Sequence, residues 1–412
     1  MVFLLALLSE AASVVAILFC LLLAWSLFYH FSTTQMPSGI CQPLKVRILH
    51  ILVVMIFTLG YILWKLGLCG QFAFMRIFVD GIPAGKDPRL SITNTYFEHV
   101  PIRIYHPKRP LTEKRKGILF FHGGNGTLGS IDAYDRACRS MAWKADAVVV
   151  SVGYRLAPEY LYPTQFEDCA TAAEYFMKNA EDYGVSPAQI VIAGESIGGT
   201  AAASIVQKLT KRADLPKVRA QMLIGPFLQG VDFNSLSYQQ NRWVPFVAQA
   251  DFLYCIFLYV TKNTTIADFA LEETHIPEER RKMYEEWLNP DHIPKELKVR
   301  GNYTKHQKSL NPLDHVYSLM ETITGPTLGP LLSEDVVLQQ LPETFILTSE
   351  FDILRDDGLL YKKRLEDNGV PVSWCHLTDG FHGVLLLYKR WFLNFAFCHR
   401  GVDHVVDFIK SL

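Results

Sequence analysis

Ser196 is the residue whose surroundings most clearly favour nucleophilic chemistry. It stands between Gly194 and Gly198 in a G-x-S-x-G pattern. An apolar run of strand length, 190–193, precedes it, and a small-residue run suited to a helix follows. A sharp strand-to-helix turn strains the backbone of the serine at its apex, and neighbouring Cβ atoms would crowd it. The pattern therefore predicts an exposed serine nucleophile, with the Ile197 N–H aimed at the same point as the hydroxyl.

A glycine-rich loop offers what such a serine would need next. The strand-like run 117–121 leads directly into His122-Gly123-Gly124-Asn125. Acyl transfer passes through an oxyanion, which backbone N–H groups stabilise best when they are fixed in place beforehand. A loop with few side chains leaves those N–H groups open to the reacting oxygen. Alone, the loop fits a plain glycine turn equally well, but upstream of a G-x-S-x-G turn it favours an oxyanion hole.

Acidic residues and a histidine follow two later strands. The run 344–348 has strand character, and 372–377 is the next such run, followed by a glycine-flanked loop that holds His382. The loop after the first of these strands carries three acids, Asp352, Asp356 and Asp357. His382 would take the Ser196 proton, and an acid would orient its imidazole. We expect Asp352 in that role, although chemistry alone leaves the other two acids open; by default they suit a helix N-terminus.

The remaining pattern predicts the elements that must position these side chains. Strand-like runs at 102–105, 147–152 and 220–224 alternate with helical patterns such as 166–179. The run 147–152 is almost continuously apolar, which is typical of a central parallel strand buried on both faces. Strands that alternate with helices at this spacing predict an α/β domain with a mostly parallel sheet.

The composition of the chain argues against some classes of function. The chain has 412 residues, a net charge of −1 and 20% charged residues, so nucleic acid is not an expected partner. Its eight cysteines are scattered without a C-x-x-C pair, so the sequence predicts neither a metal site nor a dense disulfide framework. Half of the residues are hydrophobic, which indicates membrane segments. We expect no cofactor and infer no obligate protein partner.

The N-terminal end predicts membrane association. Residues 2–31 are almost continuously apolar, and 11–29 alone would span a bilayer as a helix. A cleaved signal peptide is the alternative, but no Lys or Arg precedes Lys45 and no clean cleavage site follows. We therefore favour an uncleaved anchor over residues 1–31. A second apolar run, 48–64, could cross the membrane, lie in its interface or pack on the catalytic domain as part of a cap.

Glycosylation sequons bear on the sidedness of the chain. Asn263 and Asn302 each begin one, and together they favour a lumenal catalytic domain in the endoplasmic reticulum. One crossing with a cytosolic N-terminus and a two-span hairpin both satisfy this placement. A third sequon begins at Asn125, where a glycan would block the predicted oxyanion loop, so we expect it to be unused.

Five segments in order give the chain a family resemblance. They read HGG, YRLAPE, GESIGG, EFDILRDDG and DGFHG. In order and spacing they resemble the hormone-sensitive-lipase-like α/β-hydrolases, and most closely the membrane-anchored arylacetamide deacetylase-like group, in its like-3 or like-4 branch. The resemblance covers about residues 90–412. It implies an α/β-hydrolase fold and a triad of Ser196, Asp352 and His382.

The same resemblance assigns the oxyanion loop and exposes two departures from the family pattern. It implies oxyanion donors at Gly124, Asn125 and Ile197, with Gly123 in the loop. The family usually has a third glycine where Asn125 stands, so φ and the acyl pocket could differ, although asparagine tolerates a positive φ better than most residues. It usually has Asp where Glu195 stands. We expect an altered rate or substrate range rather than lost activity.

The resemblance also implies a cap. Between about residues 226 and 341 the sheet pattern lapses, and 243–260 is rich in aromatic and apolar residues. We expect this insertion, with the segment 32–89, to cover an acyl pocket suited to apolar acyl or aryl groups.

These inferences predict a membrane-anchored serine hydrolase. It would cleave hydrophobic esters such as lipid esters, or arylamides, through an acyl-enzyme. Ester and amide substrates share the triad chemistry, so the sequence does not separate them. The alternative is a weakly active or inactive α/β-hydrolase-fold protein that binds ligands, because a fold does not fix a function.

Overall fold

The structure is a computed structural model that describes residues 2–110, 113–301, 317–318 and 321–412, with side chains from Leu7 onward. Eight strands form one sheet: β1 (Leu90–Phe97), β2 (Val100–Pro107), β3 (Arg115–Phe121), β4 (Val148–Val152), β5 (Val185–Glu195), β6 (Ala220–Ile224), β7 (Glu343–Phe351) and β8 (Val372–Phe381). Their spatial order is β1-β2-β4-β3-β5-β6-β7-β8. The β1–β2 and β2–β4 pairs are antiparallel, and all the others are parallel. The predicted α/β fold with a mostly parallel sheet is confirmed.

Helices cover both faces of the sheet and fill the insertion after β6. They are α1 (Val2–Thr33), α2 (Pro43–Lys65), α3 (Gln71–Asp80), α4 (Ile131–Ala145), α5 (Thr164–Lys178), α6 (Ile197–Leu209), α7 (Leu236–Asn241), α8 (Gln249–Thr261), α9 (Ile266–Leu271), α10 (Glu278–Met283), α11 (Asp335–Leu338), α12 (Arg355–Asp367) and α13 (Ala396–Ser411). Helices α7 to α11 lie between β6 and β7, in the region where the sequence predicts the cap.

Alternate residues of the central strands divide between two apolar cores. Every residue of β4 and β6 is buried. Leu119 and Phe121 of β3 belong to one core, whereas Ile118 and Phe120 belong to the other. Successive side chains of a strand point to opposite faces of the sheet, and here both faces are covered. This explains why the central strands are continuously apolar.

The two N-terminal helices differ in what they contact. By length and composition alone, both α1 and α2 could cross a membrane. Most of the large apolar side chains of α1 from Leu7 to Phe31 are exposed. Helix α2 instead packs Ile56 and Phe57 into a small apolar cluster with α3 and the cap helix α8. The second apolar run therefore contacts the cap.

The asparagines of the three sequons differ in location and exposure. Asn263 is exposed on the turn that follows α8, where its side chain accepts hydrogen bonds from the backbone and hydroxyl of Thr265. Asn302 lies outside the described residues. Asn125 is only partly exposed and lies in the loop after β3.

We expect Leu119→Ala to lower the free energy of unfolding by about 2–5 kcal/mol, because Leu119 is fully buried in a central strand. Val336→Ala removes an apolar side chain that is 63% exposed, so it should change stability by less than about 0.5 kcal/mol. Urea unfolding in mild detergent, followed by tryptophan fluorescence, compares the two variants. Equal losses would contradict the placement of Leu119 in the core.

Candidate active site

Ser196 lies at the turn between β5 and α6. Its backbone has φ 58° and ψ −125°, a left-handed conformation that costs energy for a residue with a side chain. Its N–H donates to the carbonyl of Ile224 at the end of β6 (2.9 Å). A Cβ at Gly194 would lie 2.1 Å from the Gly198 carbonyl oxygen, and one at Gly198 would lie 2.2 Å from that of Phe121. The flanking glycines are therefore required by close backbone contacts.

Asp352 and His382 form a hydrogen-bonded pair. The Nδ1 of His382 is 2.8 Å from Oδ2 of Asp352. The other oxygen, Oδ1, accepts the N–H of Leu354 at 2.9 Å, and the Asp352 carbonyl accepts the side-chain amide of Asn241 at 3.0 Å. Because Asp352 is buried and fixed by these bonds, it can hold one tautomer of the imidazole.

The pair lies beside the turn that carries Ser196. A Cβ built at Gly225, the residue after Ile224, would lie 3.2 Å from Asp352 Oδ2 and 3.6 Å from His382 Nδ1. The carboxyl ends of β5 to β8 thus bring the three predicted residues to one edge of the sheet. Among the described residues no hydrogen bond joins the Ser196 hydroxyl to His382; such bonds often tighten only when substrate binds.

The other two acids of this loop have different partners. Asp356 accepts the N–H of Ser237 at 2.6 Å. Asp357 accepts the N–H of Leu228 at 2.8 Å, and burial raises its pKa to about 8. Both carboxyl groups therefore hold the start of the cap insertion rather than the His382 ring. This arrangement supports the choice of Asp352.

The imidazole of His382 is tuned by opposing effects. Burial lowers its pKa, but the charge of Asp352, the hydrogen bond to it and the charge of Glu195 together raise the pKa above its ordinary value. An imidazolium at this position would therefore be stabilised by two carboxylates.

The predicted oxyanion loop lies against Ser196. A Cβ at Gly123 would lie 3.2 Å from Cβ of Ser196 and 2.6 Å from the Tyr134 hydroxyl, so the loop needs glycine there. Gly124 has φ 119°, and Ile197 is the first residue of α6. Gly123 and Ile197 thus lie beside Ser196, and Gly124 and Asn125 follow Gly123 in the same loop.

Asn125 meets the backbone requirement that the usual glycine would meet. Its φ is 54°, in the left-handed region that asparagine tolerates better than most residues. The thiol of Cys255 on the cap helix α8 forms hydrogen bonds with the side chains of Thr127 and Asn125. The departure from glycine therefore adds a second contact between this loop and the cap.

Glu195 anchors the segment that follows His382. It is buried, and its two oxygens accept the N–H groups of Leu385 (2.7 Å) and Leu386 (3.2 Å). Tyr134 adds a side-chain hydrogen bond. Burial raises the pKa of Glu195, whereas these bonds and the charge of His382 lower it, and burial prevails. The longer Glu side chain thus reaches from the serine turn to the histidine loop.

Two other residues, to which the sequence analysis assigned no role, support the site. Arg76 of α3 donates to the carbonyls of Thr127 (2.9 Å) and Ala157 (2.6 Å) and bonds to the carboxylate of Glu159. Tyr154 of the YRLAPE segment donates to the carbonyl of His122 at 2.6 Å. Arg76 is one basic residue in an apolar helix, and only the contact between distant segments reveals its role.

Within the described residues, no group of three or more His, Cys, Asp or Glu side chains is placed to hold a metal ion.

Comparison with known proteins identifies the family. The profile of a family described as an alpha/beta hydrolase fold matches residues 118–276 and 290–386. The chain is 39% identical to arylacetamide deacetylase-like 4 of Homo sapiens over 388 residues, which cover 94% of this chain and 95% of that one. The chain belongs to the α/β-hydrolase family, in its arylacetamide deacetylase-like branch. It is also 40% identical to arylacetamide deacetylase-like 3 of Mus musculus, again over 94% and 95% of the two chains.

Two further comparisons extend the family assignment of this α/β-hydrolase. It is 31% identical to neutral cholesterol ester hydrolase 1 of Rattus norvegicus over 93% of this chain and 97% of that one. The solved structure of DphMB1 superposes with a TM-score of 0.62 at 26% identity, covering 83% and 92% of the two chains. The resemblance inferred from the five segments is confirmed, and the family supports ester hydrolysis.

We expect Glu195→Gln to shift the acid limb of the kcat/KM profile of this α/β-hydrolase to lower pH. We expect the neutral imidazole of His382 to act as the base, so activity should fall as pH drops through the raised pKa of this residue. Removing the Glu195 charge lowers that pKa. The free energy of unfolding should also fall by about 1–3 kcal/mol, because two charge-assisted hydrogen bonds weaken. Ester hydrolysis against pH, with surface Glu366→Gln as the control, measures the shift. An acid limb that stays at the same pH would contradict the electrostatic coupling between Glu195 and His382.

Asn125→Gly should keep kcat within about tenfold of the wild type, because glycine adopts the required φ and only the Cys255 contact is lost. Asn125→Val should lower kcat by about 10²-fold or more, because a β-branched residue at this φ distorts the oxyanion loop. Cys255→Ala removes the contacts of the thiol with both Asn125 and Thr127, and it should keep kcat in the same range as Asn125→Gly. Full activity in Asn125→Val would show that the loop conformation does not limit the reaction.

Proposed function

We propose that this chain is a serine hydrolase that cleaves hydrophobic carboxylic esters with Ser196, Asp352 and His382. The observation that carries the proposal is the His382–Asp352 hydrogen bond beside a serine held at a positive φ. The family of the chain supports the same chemistry. Gly124, Asn125 and Ile197 are the proposed oxyanion donors, with Gly123 in the loop.

The proposed reaction has two stages. His382 takes the proton of Ser196 as its oxygen attacks the ester carbonyl, and the backbone donors stabilise the oxyanion. The ester C–O bond then breaks, and the imidazolium returns its proton to the leaving alcohol. In the second stage His382 takes a proton from water, which attacks the acyl-enzyme. Collapse of that intermediate releases the acid and reprotonates Ser196.

The proposed substrates are esters with apolar acyl groups, including lipid esters, together with arylamides. Aromatic residues lie close to the catalytic histidine: Phe246 of the cap packs edge-on against Phe381, with ring centroids 6.0 Å apart. A Cβ on Gly383, next to His382, would lie 3.1 Å from the Phe246 ring. An apolar wall at this position suits an apolar substrate group. The names of the relatives, arylacetamide deacetylase-like and cholesterol ester hydrolase, point in the same direction.

The proposed location is the membrane of the endoplasmic reticulum, with α1 as the anchor and the catalytic domain in the lumen. The exposed apolar side chains of α1 and its length support an anchor. Asn263 is exposed and accessible to a glycosyltransferase, which supports the lumenal placement. Such a location would keep the site near substrates that partition into lipid.

We expect the wild type, solubilised in mild detergent, to be labelled by a fluorophosphonate probe, and Ser196→Ala to remain unlabelled. Ser204→Ala, which alters another buried serine of α6, should be labelled like the wild type. With p-nitrophenyl esters, kcat/KM should rise about threefold to fourfold per added acyl methylene until the pocket is filled. Ser196→Ala should lower kcat by about 10⁴-fold or more.

Unlabelled but folded wild type would overturn the hydrolase proposal and favour a ligand-binding protein with the same fold. Labelling that persists in Ser196→Ala would assign the nucleophile to another residue.

A further inference from the structure

A group of exposed apolar side chains lies at the C-terminal end of α3. The group, called here the apolar ridge, consists of Ile77, Phe78, Ile82, Trp391 and Phe392. Trp391 is 81% exposed and Ile82 is 73% exposed. The end of α3 contacts the loop that carries Trp391 and Phe392, because Arg390 donates to the carbonyl of Val79. Clustered aromatic and aliphatic residues of this kind on a surface mark an interaction site.

A basic cavity adjoins the ridge. Its volume is about 530 Å³, and it is formed by the loop 84–89, by α4 and by Lys389. Six cationic side chains line it: Lys86, Arg89, Arg136, Arg139, Lys144 and Lys389. The same two loops contribute to the apolar ridge and to the basic cavity. Ile82 of the ridge precedes the cavity loop 84–89, and Lys389 of the cavity precedes Trp391 of the ridge by two residues.

The cations of the cavity outnumber their acidic partners. Arg89 pairs with Asp87, Arg139 with Asp135 and Lys144 with Asp403. Arg136 donates to the carbonyl of Ile82 at 2.8 Å and forms no ion pair with the described residues. Within the described part of the chain, neither Lys86 nor Lys389 has a carboxylate partner, and both are exposed. Three of the six positive charges thus remain available to an anion.

The position of the ridge relative to the N-terminal helices indicates what covers it. The loop after Phe392 continues to Asn394, whose carbonyl accepts the ammonium of Lys45 at 3.0 Å. Lys45 lies in the first turn of α2, twelve residues after Thr33, the last residue of the proposed anchor α1. The ridge is therefore on the side of the domain from which the anchor emerges. A bilayer held by α1 would be present there at high effective concentration.

We propose that the apolar ridge and the basic cavity together dock the domain on an anionic phospholipid surface, with a headgroup phosphate in the cavity. Interfacial aromatic side chains flanked by Lys and Arg are the combination that such surfaces bind. Trp391 and Phe392 enter the headgroup region, and Lys86, Lys389 and Arg136 attract the phosphate. This docking does not depend on the hydrolase activity.

Docking would bear on the active site through α3. The inner side of this helix carries Arg76, which bonds to the loop after the oxyanion glycines. Its outer side carries Ile77 and Phe78 of the ridge. Contact with lipid would therefore hold the helix that supports the oxyanion loop.

Hydrogen–deuterium exchange on the full chain in nanodiscs tests the proposal. One sample contains phosphatidylcholine alone, and the other contains phosphatidylcholine with phosphatidylserine. We expect segments 81–89 and 389–393 to exchange more slowly in the anionic discs. Lys86→Gln/Lys389→Gln should reduce the docking equilibrium on the order of tenfold, so most of the added protection should disappear.

Two exposed lysines elsewhere provide the matched control. Lys208→Gln/Lys410→Gln makes the same charge change away from the cavity and should keep the protection of the wild type. Equal protection in neutral and anionic discs would overturn the proposal, as would equal protection in the Lys86/Lys389 variant and its control. So would protection that inorganic phosphate produces in detergent, since it would assign the cavity to a free anion. Fluorophosphonate labelling of the same samples reports the active site independently.

Discussion

The conformation of Ser196 is the constraint on which the arrangement of the site depends. A residue with a side chain at φ 58° is strained, and the turn persists because β5 and β6 hold it from both sides. Adjacent parallel strands end at the same edge of a sheet, so the residues that follow β7 and β8 reach the same corner. Gly225 is the point at which they meet, because a Cβ there would lie tightly against Asp352 and in van der Waals contact with His382.

Two buried carboxylates raise the pKa of the His382 imidazole in this site. Burial disfavours the imidazolium of His382, and the charges of Asp352 and Glu195 outweigh that effect. The two acids act differently, however. Asp352 bonds to the ring directly, whereas Glu195 is bonded to backbone N–H groups three and four residues beyond His382. Asp352 therefore orients the ring, and Glu195 positions its loop.

The sequence predicted the parts of the structure that local pattern controls. Continuous apolar strands, the glycines beside Ser196 and the order of the five segments led to the sheet, the fold and the family, all of which are confirmed. Strand β1 was not predicted, because between Leu90 and Phe97 its side chains are not buried and show no clear alternation. Arg76 could not be predicted either, since its role comes from loops more than fifty residues away. The roles of the triad and the oxyanion residues stay predictions.

The structure also changes the meaning of Asn125. In the sequence it is only a missing glycine, and a missing glycine suggests impaired chemistry. In the fold it keeps the left-handed backbone and adds a bond to Cys255 of the cap. The same α8 helix packs against α2 and α3, and α3 holds the other end of the oxyanion loop through Arg76. The loop is thus fixed from the cap on one side and from the N-terminal helices on the other. A glycine at position 125 would remove one of these contacts with the cap, whereas Thr127 would still bond to Cys255.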